Sequence, residues 1–469
     1  MYYLLPFRFE RLKDKEIIVN EVGDYLIIDR NTVDRIVSRK ISPDEELYKD
    51  LITSFFISET VVPPLIDNYA TRLRTKKSFM DGFTSLHIFV LTLRCNQNCL
   101  YCQASAKEHN ALQYDMKKED LSRAIDLMFK SPSHSVTMEF QGGEPTLTPD
   151  LLTYAVLEAE TRNKLYKKQI TYVLCTNSVS LSDRVINICN EYRILISTSL
   201  DGPEFLHNRN RGKTDSYQKV VAGITKARTV LGEDRVSALM TTSEYSLDYP
   251  AEIINSYLEN GFHSIFLRPL NPYGLAAEND DWDLYFDRFV EFYKRSLEYI
   301  IQLNKEGTFF IEEFAALLLR KILTPFPNGF VDLQSPSGII NGVIVYNYDG
   351  YVYASDESRM LAEYNDYSFR SGHVSDKYEN IFYGRKTQEL AQIWITEGIA
   401  GCSDCAFQSY CGADPVRNYS TQGDSYGFRP TSSFCKKHKS IISYIISLLT
   451  EREDEVLPIF KKWLRRNEG

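Results

Sequence analysis

No stretch of this chain comes near the roughly 18 consecutive apolar residues that a membrane-spanning helix needs, which argues against a membrane partner. The opening Met1-Tyr2-Tyr3-Leu4-Leu5-Pro6 is too short an apolar run for a secretory signal, so the cytoplasm is the expected compartment. Basic residues are outnumbered, 54 Lys and Arg against 63 Asp and Glu, and a net charge of −9 argues against a nucleic-acid partner. The basic string Lys461 to Arg466 reads as the end of a surface helix. Apolar residues are not scarce: at 43% of 469 they exclude disorder and allow about three modules of ordinary size. The most telling absence is local. After Cys102 no cysteine occurs for more than seventy residues, so a metal group held by Cys95, Cys99 and Cys102 lacks a nearby fourth thiol.

Those three cysteines stand in LTLRCNQNCLYC, residues 91–102, with C-x3-C-x2-C spacing. Three thiolates on a four-iron cube leave one iron open to a small molecule, whereas a structural site closes with a fourth. The pattern resembles the radical S-adenosylmethionine (SAM) superfamily, in which an aromatic residue, here Tyr101, precedes the third cysteine. That resemblance implies a SAM-binding [4Fe-4S] cluster on Cys95, Cys99 and Cys102.

Further strings of that family follow in order. The apolar run Val136 to Phe140 leads into Gln141-Gly142-Gly143-Glu144-Pro145, the turn with which the family meets the SAM amino group. Paired glycines would let the backbone approach a ligand, and the Glu144 carboxylate would stabilise an ammonium. A plain strand-to-helix turn is the other reading. Asn177 follows the run from Ile170 to Thr176, and Ser199 and Asp201 follow Ile194 to Ile196, both at the C-terminal ends of apolar strands. By resemblance this edge meets the ribose and substrate, and Arg211, or Arg209 in its place, meets the SAM carboxylate.

Six strand-like runs recur: Leu86–Leu93, Val136–Phe140, Ile170–Leu174, Ile194–Ser199, Val236–Thr241 and Ser264–Leu267. Helical periodicity fills Lys117–Lys130, Pro149–Leu165, Ser182–Tyr192 and Tyr217–Leu231 between them. Alternating units imply a parallel sheet with its chemistry at the C-terminal strand ends, where these motifs fall. The resemblance implies an α/β fold, a partial (β/α)6 TIM-type radical SAM barrel over residues 85–305. A bridging region with a β-hairpin, 306–398, would join it to a C-terminal unit.

Of the nine cysteines, Cys175 and Cys189 fall on an apparent strand and helix and read as buried small hydrophobes. Cys402, Cys405, Cys411 and Cys435 form C-x2-C-x5-C with a distant fourth, a closed set suited to zinc or to an iron-sulfur cluster. They resemble the SPASM domains of radical SAM enzymes, which implies an auxiliary [4Fe-4S] cluster within residues 399–440, before a C-terminal helix, 441–469. A full SPASM domain has seven cysteines for two clusters. Here Ser335-Pro336-Ser337-Gly338, Ser355-Asp356 and Gly412-Ala413-Asp414 occupy the regions that would supply the missing ligands, so a reduced, twitch-like domain with a single cluster is expected. Asp356 follows one lost position, where sulfatase-maturing relatives carry a proton-accepting Asp; an ordinary loop aspartate is the alternative.

Residues 1–80 read as a separate unit. Glu16–Asn20 and Asp24–Ile28 flank Glu21-Val22-Gly23 as a hairpin, a helix follows over Asn31–Arg39, and Ser42-Pro43-Asp44-Glu45 reads as a helix start capped by Ser42. The unit resembles the winged-helix peptide-recognition domain in which a leader peptide adds a strand to a sheet edge. A plain cap on the barrel is the alternative. With PFRFERL at 6–12, the string Asp404 to Val416, and Arg429-Pro430-Thr431, the chain resembles the radical SAM maturases of His-Xaa-Ser repeat peptide systems. That implies a ribosomally made precursor peptide, an electron donor of flavodoxin or ferredoxin type, and a 5′-deoxyadenosyl radical that takes hydrogen from a side chain. An auxiliary cluster fully ligated by cysteine disfavours thioether formation on iron, so an oxidative cross-link, carbon to carbon or carbon to heteroatom, is expected first. The alternatives are epimerisation, with Cys175 the thiol to suspect as hydrogen donor, sulfatase-type oxidation of Ser or Cys, and a non-catalytic iron-sulfur sensor. Arg268 and Asn271 are expected to face substrate.

Overall fold

The computed structural model describes residues 2–61, 65–278, 281–393 and 395–465. An eight-stranded mixed sheet forms its centre, in the order Val236–Leu239, Leu195–Ser199, Gln169–Thr176, Ser135–Gly142, Leu86–Thr92, Val343–Tyr346, Tyr351–Tyr353 and Arg370–His373. The first six strands run parallel, and each of the last two pairs antiparallel with the strand before it. Helices Lys118–Phe129, Pro149–Tyr166, Asp183–Glu191 and Ser216–Leu231 fall between the strands where the periodicity places them. Along Ser135–Gly142 the side chains alternate: Met138 and Phe140 enter the core under the helices, while Glu139 and Gln141 face an interior cavity.

Five of the six expected barrel strands join this sheet. The sixth run shortens to Ser264–Ile265 and pairs with Ile311–Glu312 outside it, leaving a single bridge between Thr242 and Pro269 next to the barrel's last strand. There the Tyr285 hydroxyl accepts the Leu270 N–H at 2.8 Å and donates to the Thr242 carbonyl at 2.6 Å, so a side chain stands where the next ladder bond would form. At the opposite edge Val343–Tyr346 lies parallel to Leu86–Thr92, and the sheet therefore continues past the boundary expected at residue 305.

In the N-terminal region Phe7–Leu12 adds a third antiparallel strand to the hairpin of Lys15–Asn20 and Tyr25–Asp29. Ile18 enters a local core with Val33, Ile36, Leu51 and Phe56, while Ile17 and Val19 join the main core, so both faces of the central strand are covered. Ser42 does not cap a helix. The Glu45 carboxylate accepts the Ser42 N–H at 2.8 Å and is held by Arg35 at 2.7 and 2.9 Å, which makes 42–45 a separate turn and starts the helix at Glu46. The C-terminal helix expected from 441 begins at Ser433 and ends at Glu451, and a second helix spans Glu453–Arg465 with Val456, Phe460 and Trp463 buried. Arg466 of the basic string lies outside the described residues, among which no helix is long and apolar enough to cross a membrane.

Candidate active site

The strand Leu86–Thr92 ends in the cysteine loop, which is tied down along its length. The Cys95 N–H donates to the Lys107 carbonyl at 3.0 Å, Lys107 donates back to Leu93 at 2.8 Å, and Arg94 clamps Asp115 through bonds of 2.7 and 2.8 Å. Leu100 N–H reaches the Asn210 carbonyl at 2.9 Å, and the Cys102 carbonyl accepts from Leu275 at 3.0 Å. Side-chain donors approach the sulfurs: Asn177 Nδ2 lies 3.8 Å from Cys95 Sγ and Arg211 Nη1 lies 3.8 Å from Cys99 Sγ. Burial pushes the Cys95 thiol up to about 12, with Glu144 and the neighbouring cysteines adding to it. Iron binding would therefore displace protons. Gathered thiols flanked by N–H donors suit a cluster whose sulfurs are stabilised by hydrogen bonds.

The glycine turn and the acidic residues are engaged within the protein itself. Gly142 has φ +138°, and a Cβ there would overlap the Thr92 carbonyl; one at Gly143 would overlap the carbonyls of Leu93 and Arg94. The glycines thus let two strand ends approach each other, with Gly143 and Glu144 N–H groups bonding Thr92 and Arg94 at 2.8 and 2.7 Å. The Glu144 carboxylate is wholly buried. It accepts from Thr146 N at 3.1 Å, Thr146 Oγ1 at 2.6 Å, Thr176 Oγ1 at 2.7 Å and Asn177 N at 2.7 Å, and so ties its own turn to the end of the neighbouring strand.

Asp201 and Arg211 are likewise engaged with each other, through Nε to Oδ2 at 2.8 Å and Nη2 to Oδ1 at 2.7 Å, and Tyr101 donates to Asp201 at 2.7 Å. Despite burial, the guanidinium holds the Asp201 carboxyl below its ordinary value. Arg211 braces the cysteine loop through this pair, because a buried carboxylate needs such a partner. Arg209 stacks 3.3 Å over the Tyr245 ring. Ser199 ends its strand half-buried, while Ser197 lines the cavity.

That cavity, about 690 Å³, is lined by Gln103 and Ala104 just after Cys102, and by the expected Arg268, Asn271 and Asp356. Asp356 opens the helix Asp356–Ala362 and lies 3.2 and 3.3 Å from the Arg359 guanidinium. Cys189 is buried as expected, but Cys175 is not simply core: it lines the cavity beside Glu139. Burial and Glu139 push its thiol well above the ordinary value, and burial also raises Glu139. Sequence reading passed over Glu139, Asp332, Glu357, Asp414, Arg417 and Lys437, which also line the cavity. Strand alternation could have found Glu139; the rest come from loops and helices whose meeting no local pattern announces.

The four remaining cysteines gather on two elements. Cys402, Cys405 and Cys411 share a tight loop in which Cys405 N–H bonds Cys402 at 3.1 Å and Cys411 N–H bonds Phe407 at 3.2 Å. Cys435 sits in the first turn of the helix Ser433–Glu451, its N–H on Ser432 Oγ at 3.2 Å. Burial and the other three thiols push Cys411 up to about 12. Among the described residues no three His, Cys, Asp or Glu side chains converge on a single metal ion. The four thiols are grouped without meeting at one point.

Residues 89–265 match the Radical SAM superfamily. The chain is similar to an uncharacterised protein of Synechocystis, 24% identical over 388 residues, spanning 79% of this chain and 93% of that one. A cysteine-type anaerobic sulfatase-maturating enzyme of Clostridium novyi is 22% identical over 384 residues, 76% and 96% of the two chains. Among solved structures, anSMEcpe with bound AdoMet superposes with TM-score 0.65 at 18% identity, covering 81% of this chain and 98% of its own. Streptococcus suis SuiB bound to precursor peptide SuiA gives TM-score 0.53 at 13% identity, covering 93% and 100%. The cysteine loop, the glycine turn and the parallel strands that carry them make residues 89–265 a domain of the radical SAM superfamily.

Proposed function

We propose that this chain is a radical SAM enzyme that modifies a ribosomally made precursor peptide, with an oxidative cross-link as its first-choice product. The observation that carries the reading is the cavity of about 690 Å³ directly beside the Cys95–Cys102 loop, roomy and polar enough for several residues of a peptide. The names of relatives agree: sulfatase-maturating enzymes act on proteins, and SuiB is bound to a precursor peptide. Cys95, Cys99 and Cys102 would hold the SAM-binding cluster, and Cys402, Cys405, Cys411 and Cys435 a single auxiliary one. When bound, the first cluster and SAM supply a 5′-deoxyadenosyl radical that takes a hydrogen atom from an unactivated carbon. The chain's part is to position the target carbon and to keep water out. Asp356, on the cavity wall and held by Arg359 through Oδ1, is suited to accept a proton from the oxidised substrate at Oδ2.

A leader segment would bind at the N-terminal sheet, taken here as a peptide-recognition domain. The Tyr25–Asp29 edge supports this, because Tyr25, Leu26 and Ile27 line an open groove with Leu323, Leu457 and Leu464 in which an extended peptide could add a strand. Sulfatase-type oxidation of Ser or Cys is the second reading, favoured by Asp356 in the cavity. The test is the intact mass of a candidate precursor, encoded beside this gene, after anaerobic co-expression. Loss of two hydrogens per modified site, mapped by fragmentation to two joined residues, is expected. The same loss at one Ser supports the second reading, and an unchanged mass with deuterium incorporation from heavy water would replace both with epimerisation.

A further inference from the structure

Three stretches from which an inner auxiliary cluster would draw its ligands meet on one wall of the cavity. Ser337 and Gly338, Ser355, and Ala413 all line it, and Asp332, Glu357 and Asp414 stand among them. We propose that this wall is a substrate subsite for one cationic residue of the peptide, its Lys, Arg or imidazolium side chain lying against Asp332, Glu357 and Asp414 and its backbone carbonyl on Arg417. The inference rests on the reading of a peptide substrate.

The charge balance leaves room for one cation. Five carboxylates and four Lys or Arg side chains line the cavity. Asp356 and Arg359 satisfy one another. Glu139 lies against Gln141 and Cys175 on the barrel side. The acidic trio then faces Arg268, Arg417 and Lys437, and with Glu139 the cavity keeps one negative charge in excess. All three line the cavity, and enclosure by protein together with mutual repulsion pushes Asp332 and Glu357 above the ordinary carboxylate range. Asp414 Oδ1 is spent on the Arg417 N–H at 2.9 Å, where it caps the helix Pro415–Gln422. A cation arriving in a cavity of reduced dielectric would relieve the repulsion far more than it could in water.

Arg417 is the second, independent sign. Its side chain is 2% exposed and lines the cavity; Nη1 donates to Asn271 Oδ1 at 2.9 Å, but Nε and Nη2 have no acceptor. Two buried guanidinium N–H groups without an acceptor are costly, and a peptide carbonyl is the group that would satisfy both. A cationic residue in an extended peptide brings both halves of this chemistry together. An uncharged side chain would supply only one.

Calorimetric titration of the anaerobic, cluster-loaded enzyme with small amides tests this without turnover. The probes are the N-acetyl, N′-methylamide derivatives of lysine, arginine, norleucine and glutamate. The lysine and arginine amides are expected to bind about tenfold or more tightly than norleucine, and Glu357→Gln should erase that preference at unchanged iron content. Arg417→Lys should weaken all four alike. Equal binding of norleucine, a preference for glutamate, binding of none, or a preference untouched by both Glu357→Gln and Asp332→Asn would overturn the proposal. A precursor left unmodified in co-expression would instead count against the peptide reading, so the two failures are distinguishable.

Discussion

Arg211 and Asp201 hold each other through two hydrogen bonds of 2.7 and 2.8 Å, with Asp201 wholly buried and Tyr101 donating to the same carboxylate. Both residues stand in strings that match a SAM-binding family, yet their charged atoms face each other and the sulfur of Cys99. Arg211→Ala would strand a buried carboxylate at a cost of roughly 3–5 kcal/mol. The expected result is a lower melting temperature and less iron per chain. A variant with full iron and an unchanged melting temperature, but a raised KM for SAM, would mean that Arg211 serves the ligand and not the loop.

The two cysteine sets are expected to separate under mutation. Cys99→Ala should abolish SAM cleavage, whereas Cys411→Ala should lower iron content and product while leaving some abortive formation of 5′-deoxyadenosine. Iron analysis of the wild type should give about eight atoms per chain for two clusters, against about four with one zinc for a structural knuckle. Full iron and full product in Cys411→Ala would remove the auxiliary assignment.

His207 provides a pH dependence with a definite sign. Its Nδ1 accepts the Asp201 N–H at 3.2 Å, which requires a free lone pair, and burial lowers the ring to about 4 from an ordinary 6.5. The unfolded chain therefore binds more protons than the folded one between those values, so stability is lost as pH falls from about 6.5 towards 4. Hydrogen exchange at 200–206, corrected for intrinsic rates, should accelerate over that window. In His207→Gln the acceleration should disappear, and its persistence would assign the acid sensitivity to other groups.

What was legible from sequence follows how locally each feature is encoded. The parallel strands and their helices were readable because alternation and helical period are short-range, and the cysteine spacing because a short loop must meet one cluster. The bonding of Glu144 was only half legible: Thr146, two residues on, is a local donor, whereas Thr176 and Asn177 lie at the end of another strand that only folding brings close. The sixth strand leaves the sheet where the Tyr285 hydroxyl comes between Leu270 and Thr242, a contact from a distant helix that no local pattern announces. The charged wall of the cavity was invisible, since Asp332, Glu357 and Asp414 lie on three separate segments and are joined only by the long-range pairing of Val343–Tyr346 with Leu86–Thr92 and the packing around it.

The N-terminal sheet is bolted to the loop that carries Cys402, Cys405 and Cys411. Tyr410 OH donates to the Gly23 carbonyl at 2.9 Å, Ser409 Oγ to the Asn20 carbonyl at 3.2 Å, and Arg8 Nε to the Ser403 carbonyl. Tyr410→Phe leaves the buried Gly23 carbonyl without its donor, at a cost of roughly 1–3 kcal/mol. Since Tyr410 is not a metal ligand, iron content should hold while the hairpin turn at 20–24 exchanges hydrogen faster. Removing residues 1–80 is a harsher change, because it strips Ile17 and Val19 from the main core and all three of these hydrogen-bond partners from the cysteine loop. Iron at the Cys402–Cys435 site should then fall while the Cys95–Cys102 site still binds its cluster. If the truncated chain kept both, the N-terminal sheet would be an independent module that merely rests on the auxiliary loop.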